Sequence, residues 1–121
     1  PILTASGTFG YGLEFGHLAA LDRLGGIVPP GPPLEPLPGH PPPRIGEPRG
    51  GMLNSIGLQG PGIEAFVEND LAWLASVGAR VLVSIAGNTA AEFGEVAACL
   101  ADSPAFAAVV GVDEQEGTTT A

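Results

Sequence analysis

Apolar and polar positions along this chain change period several times, and each change marks an element. Pro1–Ala5 is a short apolar run, followed by Ser6-Gly7-Thr8-Phe9-Gly10-Tyr11-Gly12, whose glycines and hydroxyls read as a turn-rich loop. Leu18, Leu21 and Leu24 recur at a spacing of three, which predicts a short helix over His17–Leu24 with one apolar side. Gly25–Val28 is a brief apolar run, and Pro29 stops a buried strand there because it has no N–H to give a ladder. Helical signals resume at Pro61, a residue suited to the first helical position. Ile63, Phe66, Val67, Leu71 and Leu74 then follow helical periodicity, and Gly78 supplies the stop. Arg80–Ala86 reads as a strand. Thr89 with Glu92 forms a capping box ahead of a helix that buries Phe93, Val96, Ala97 and Leu100. Ala107–Val112 reads as a further buried strand, and residues 113–121 as a polar, frayed tail.

The predicted order is strand, helix, strand, long loop, helix, strand, helix, strand. Alternation of this kind implies an α/β fold of parallel strands joined by right-handed crossovers. Closed α/β barrels and open doubly wound sheets both begin this way, and periodicity does not choose between them.

Composition narrows the picture. Ten of the thirteen prolines fall in residues 29–48, so that stretch is expected to be loop or polyproline II. Hydrophobic residues make up 45% of the 121 and charged residues 14%, which argues against disorder over most of the chain. A net charge of -9 disfavours nucleic acid and anionic membranes as partners. No apolar run reaches the ~18 residues of a membrane span, and no basic-then-apolar leader opens the sequence. The expected setting is cytoplasmic. The chain opens on Pro1 rather than Met, which is read as truncation. Cys99 is the single cysteine, so no internal disulfide and no thiolate metal cluster is expected. Neither a Gly-x-Gly-x-x-Gly after a strand nor a P-loop is present.

Several segments together resemble the class 1 dihydroorotate dehydrogenases. Ala5-Ser6-Gly7-Thr8-Phe9-Gly10-Tyr11-Gly12 resembles that family's first strand-to-helix loop. Leu34-Glu35-Pro36 through Gly39-His40-Pro41-Pro42-Pro43-Arg44 resembles its proline-rich loop. Met52-Leu53-Asn54-Ser55-Ile56-Gly57-Leu58-Gln59, with Pro61-Gly62, resembles its substrate loop, and Ile85-Ala86-Gly87 also matches. The resemblance runs to about Pro104. Its wording is most similar to the NAD-linked subclass, whose catalytic subunit pairs with an iron–sulfur flavoprotein. It implies a (β/α)8 barrel carrying FMN that oxidises dihydroorotate to orotate in pyrimidine synthesis. A complete barrel takes about 250 residues, so residues 1–112 correspond to its amino-terminal half, with the proline-rich loop at 29–48 and the tail at 113–121.

By that resemblance, Ser6, Gly31 and Ser84 fall at flavin contacts, and Asn54, Ser55, Ile56, Gly57 and Leu58 at the substrate. An Asn amide both donates and accepts, so it can read a pyrimidine edge in two directions. Read alone, Ser6-Gly7 is also an ordinary tight turn, and Asn54 and Gly57 are ordinary loop residues. Four departures bear on activity. Pro30 stands where the family has a lysine that meets flavin and substrate. Ser84 and His40 each replace a usual asparagine. Val112-Asp113-Glu114-Gln115-Glu116 replaces the segment that carries the family's cysteine base. No catalytic residue is therefore assigned. Asp113 and Glu114 are expected to be solvated, Cys99 to be a small buried helix residue, and His17 and His40 to lack the partners of a metal site. Arg44 is expected to hold a loop carbonyl or to pair with Glu47.

Three functional readings follow: a truncated, inactive piece of a dehydrogenase, a non-catalytic module keeping a pyrimidine-like pocket, or a proline-rich ligand. Pro33-Leu34-Glu35-Pro36 and Pro38-Gly39-His40-Pro41 match PxxP formally. Open strand edges are expected to drive self-association.

Overall fold

A computed structural model describes residues 1–105 and 107–110. Four parallel segments lie side by side in chain order. Leu3 bridges Gly26, Ile27 bridges Val81, and Leu82–Ile85 pairs with Ala107–Val110 in register from Leu82↔Ala107 to Ile85↔Val110. Gly25 N–H donates to Ile2 O (2.8 Å), Thr4 N–H to Gly26 O (3.2 Å), Ile27 N–H to Arg80 O (2.8 Å) and Leu82 N–H to Ile27 O (2.9 Å). The expected strands at Pro1–Ala5, Gly25–Val28 and Arg80–Ala86 are thus in place, the first two as single-residue bridges. Of the strand expected at Ala107–Val112, the part to Val110 forms, while the polar tail at 113–121 lies outside the described residues.

The short elements between these segments are named in chain order. Among the described residues the strands are β1 (Leu37–Pro38), β2 (Ile45–Gly46), β3 (Leu53–Asn54), β4 (Gln59–Gly60), β5 (Leu82–Ile85) and β6 (Ala107–Val110). Helix α1 (Ile63–Ala65) runs through a π-helical stretch at Phe66–Leu71 into α2 (Ala72–Ser76), and α3 spans Ala90–Ala101. Phe66 and Leu71 stand five residues apart and are both fully buried, the spacing that a wider π turn brings to one face.

Periodicity located the helices better than their ends. The helix starts at Ile63 rather than Pro61, because Gly62 takes a non-helical φ of 87 as the chain turns against Pro36. Its stop is a Schellman motif: Ala79 N–H donates to Leu74 O (3.1 Å) and Gly78 N–H to Ala75 O (3.0 Å). Thr89 caps α3 by accepting from Glu92 N–H at 3.2 Å. The Glu92 carboxylate, however, accepts from Asn88 N–H (2.6 Å) and its amide (3.1 Å), one residue before the expected capping-box partner. The expected helix over His17–Leu24 is absent. Its three-residue spacing is that of a 3-10 turn, and only Leu21–Arg23 forms one, leaving Leu18 72% exposed.

The core lies on one face of the parallel segments. Val81, Val83 and Ile85 point into it and meet Ile63, Phe66, Leu71 and Leu74 from the 63–76 helix, with Val96 and Leu100 from α3. Each such side chain contributes about 1.5–3 kcal/mol on burial. The alternate residues Leu82 and Ser84 are only half-buried, and Leu3 is 53% exposed. Parallel sheets are ordinarily covered on both faces, and here one face is covered and the other is partly open.

Between Gly31 and Ile63 the chain leaves this body as an arm. β1 pairs antiparallel with β4 (Leu37↔Gly60, Pro38↔Gln59), and β2 with β3 (Ile45↔Asn54, Gly46↔Leu53). The proline-rich stretch at 29–48 was expected to be loop or polyproline II; it also carries β1 and β2, because its partners lie beyond it in sequence. Pro29 and Pro32 at its root are fully buried.

Candidate functional site at the carboxyl ends of the parallel segments

Ser6, Gly31 and Ser84 gather at one end of the parallel segments. Ser6 follows the first segment, and its hydroxyl donates to Pro29 O at 3.1 Å. Behind it, Val28 N–H donates to the Thr4 hydroxyl at 2.9 Å, locking the first two segments together. Gly31 follows the second segment and lies against the third: a Cβ there would stand 3.1 Å from Ser84 O and 3.4 Å from the Ala86 methyl. Ser84 sits on β5 with its side chain on the partly open face. The stacked rings of Phe9 and Phe15, with centroids 4.6 Å apart, steady the loop after Ser6.

Asn54, Ser55, Ile56, Gly57 and Leu58 form a second group on the arm. Asn54 ends β3 rather than following a parallel strand, and all five residues are exposed. His40 faces them. Its N–H donates to Ile56 O at 2.9 Å, and its Nδ1 lies 2.9 Å from the Ser55 hydroxyl. Gly57 has φ 75, and a Cβ there would meet the His40 ring at 2.9 Å. Leu37, Pro38, Gly39, His40, Gly57 and Leu58 line an open depression of about 540 Å³. No hydrogen bond among the described residues joins this group to Ser6, Gly31 or Ser84.

Arg44 holds loop carbonyls, the first of its two expected roles: its guanidinium donates to His40 O (2.6 Å), Pro38 O (2.8 Å) and the Gln59 side chain (2.5 Å). Cys99, expected to be buried, is exposed on α3; helix periodicity turns Val96 and Leu100 inward and leaves Cys99 outside. The first PxxP segment is engaged internally, with Pro33 against Gly60 and Pro36 against Gly62.

One group escaped the sequence reading. The Tyr11 hydroxyl is buried at the root of the arm without a hydrogen-bond partner among the described residues, its ring 5.7 Å from that of Phe66. Burial raises its pKa, and the negative charges of Asp70 and Glu14 raise it further. Burial likewise raises Asp70, with Glu14 adding to the effect. Tyr11 stands within a loop of glycines, and distant parts of the chain cover it, Gly60 beside its hydroxyl and Phe66 beside its ring.

The ring-shaped part of a flavin and its phosphate place different demands on this end of the sheet. Ser6 and Ser84 offer hydroxyls beside bare backbone, which suits one edge of a flat ring. Charge is another matter. The four cationic side chains of the chain are Arg23, Arg44, Arg49 and Arg80. Arg80 precedes β5, Arg44 and Arg49 belong to the arm, and Arg23 ends the turn Leu21–Arg23. None stands directly at the end of a parallel segment, and Pro30 brings neither charge nor donor. The residues present do not fit a flavin phosphate or a negatively charged reduced ring. Among the described residues, no three His, Cys, Asp or Glu side chains gather as metal ligands, and no helix is long and apolar enough to cross a membrane.

A parallel α/β protein with its polar groups at the carboxyl strand ends is the class these features define. Comparison with known proteins narrows it: the sequence profile described as dihydroorotate dehydrogenase matches residues 1–113. The chain belongs to the dihydroorotate dehydrogenase family. Among curated relatives, the catalytic subunit of dihydroorotate dehydrogenase B (NAD(+)) from Geobacter sp. (strain M21) is 49% identical over 113 residues, 93% of this chain and 36% of that protein. The subunit of the same name from Citrifermentans bemidjiense is 52% identical over 100 residues, 83% of this chain and 33% of that protein. That from Alkaliphilus oremlandii is 47% identical over 103 residues, covering 85% and 34%. The chain thus spans about a third of the length of the curated relatives it matches.

Proposed function

We propose that this chain supplies the amino-terminal strands of an FMN-dependent dihydroorotate dehydrogenase barrel and binds there without completing the reaction itself. Strand order carries the reading. Doubly wound sheets reverse direction beside the first strand, whereas here each parallel segment lies against the one before it, as in a (β/α)8 barrel, whose chemistry sits at the carboxyl strand ends. Ser6, Gly31 and Ser84 stand at that end and would border one edge of the flavin ring. When bound, the flavin supplies the redox chemistry.

Asn54, Ser55, Ile56, Gly57 and Leu58 would receive dihydroorotate or orotate, with the Asn54 amide offering a donor and an acceptor to the pyrimidine edge. Among the described residues none is placed to take the proton: Cys99 is exposed on α3, and the sequence has no lysine to meet the substrate carboxylate. The relatives are named catalytic subunits of an NAD(+)-linked enzyme, which favours an iron–sulfur flavoprotein as partner of the complete assembly.

The test is spectroscopic. Purified chain is mixed with FMN, desalted, and then given dihydroorotate under anaerobic conditions. The expected result is colourless protein after desalting, together with weak orotate binding by titration. Yellow protein that bleaches with dihydroorotate would refute the claim of incompleteness. Failure to bind orotate at any concentration would refute the role given to Asn54–Leu58.

A further inference from the structure

The arm gives the core little: no residue between Ile27 and Ile63 belongs to the buried apolar cluster, against which the half-buried Leu34 packs. Its two ladders hold two residue pairs each, and isolated pairs so short are marginal in water. Yet the arm carries Asn54–Leu58, which must keep one shape to be of use to a ligand.

We infer that Arg44 is the positioning residue of the arm, fastening its two strands and through them fixing the conformation of Asn54–Leu58. This rests on the reading of that segment given above only for what it binds. Arg44 is half-buried, and each of its three nitrogens is spent on a different acceptor. Nε reaches His40 O at 2.6 Å, Nη2 reaches Pro38 O at 2.8 Å, and Nη1 crosses to Gln59 Oε1 on the returning strand at 2.5 Å. Its own carbonyl accepts from Ser55 N–H at 2.8 Å, so one residue ties both strands through main chain and side chain together.

The connection to the ligand segment passes through His40. With its carbonyl held by Arg44, His40 gives its N–H to Ile56 O and sets its ring against Ser55 and Gly57. The close approach of Ile56 O depends on Gly39, which has φ 73 and where a Cβ would stand 2.7 Å from that oxygen. Bonds from a charged donor are the stronger kind. The planar fork meets three directions at once, whereas a lysine ammonium is a single point of charge and reaches fewer of these acceptors.

The experiment is amide hydrogen exchange on the full 121-residue chain, comparing wild type with Arg44→Met and Arg44→Lys. The His40 and Ser55 amides report on the arm, and those of the 63–76 helix report on the core. Arg44→Met is expected to speed exchange at His40 and Ser55 about tenfold, the scale of one lost charge-assisted bond. The helix amides should stay within about twofold, and Arg44→Lys should fall between. Unchanged arm amides in Arg44→Met would overturn the inference, as would equal loosening of arm and helix in both variants. Orotate titration runs in parallel, with affinity expected to fall in step with arm protection. A wild-type chain that binds no orotate, while Arg44→Met still frees the arm, upholds the fastening and refutes the ligand assigned to it.

Discussion

At the scale of single residues, Gly57 and Asp70 carry the clearest consequences. Gly57 adopts φ 75 with the His40 ring where a side chain would go. Gly57→Ala should therefore cost about 1–3 kcal/mol of local strain. Its signature would be loss of protection at the His40 amide and weaker orotate binding, with thermal unfolding of the core little changed. Asp70 works through pH. Burial, then Glu14, raises its pKa in the folded protein above 3.8. The folded state holds that proton more tightly than the unfolded chain, so between the two pKa values stability falls as pH rises, and above the folded value the full penalty applies. Asp70→Asn should raise the melting temperature at neutral pH, and the gain should vanish as pH falls below the unfolded carboxylate range. An unchanged melting profile from acid to neutral pH would contradict this. Neither effect was legible from local sequence, because the neighbours that matter arrive from elsewhere in the chain: His40 for Gly57, Glu14 for Asp70.

At the scale of elements, the helices show where sequence reading succeeds. Thr89→Ala removes the hydroxyl that accepts from Glu92 N–H and should cost about 1 kcal/mol, a fall in melting temperature of about 4 °C for a chain this size. Differential scanning calorimetry measures it directly, and no change would mean that α3 does not depend on its cap. Caps, stops and apolar faces lie within a turn or two of one another, so Thr89, Gly78 and the Val96–Leu100 face could be read from the sequence alone. Spacing misled where it fitted two geometries: Leu18, Leu21 and Leu24 match a 3-10 turn as well as a helix, and only Leu21 found a core. The arm was harder still. Its strands pair across sequence gaps filled by prolines, and residues 29–48 give no sign of the partners that follow at 53–60. For the candidate site, the resemblance singled out both groups of residues. The structure brings Ser6, Gly31 and Ser84 together and leaves Asn54–Leu58 on a separate element.

At the scale of the whole molecule, one face of the sheet is covered and the other is partly open. Leu3, Leu82 and Ser84 line that second face, and six of the large exposed hydrophobics, Leu37, Ile45, Met52, Leu53, Ile56 and Leu58, belong to the arm. Exposed apolar area of this kind drives association. Sedimentation should show mass rising with concentration. Because Leu3 is already 53% exposed, Leu3→Lys should weaken association about tenfold without unfolding the chain, in keeping with the apolar area lost on one side chain. A single monomeric boundary at all concentrations would contradict the expected self-association.

The consecutive order of the parallel segments also sets a timetable for folding during synthesis. Each segment docks on one that has already left the ribosome, so the amino-terminal pair can close first. The step from Ile27 to Val81 is the slow one, since the whole arm must emerge between them and such distant contacts form late. An arm fastened within itself turns that long interval into a compact excursion. The 63–76 helix and β5 can then reach the waiting edge with a short effective loop rather than a loose one.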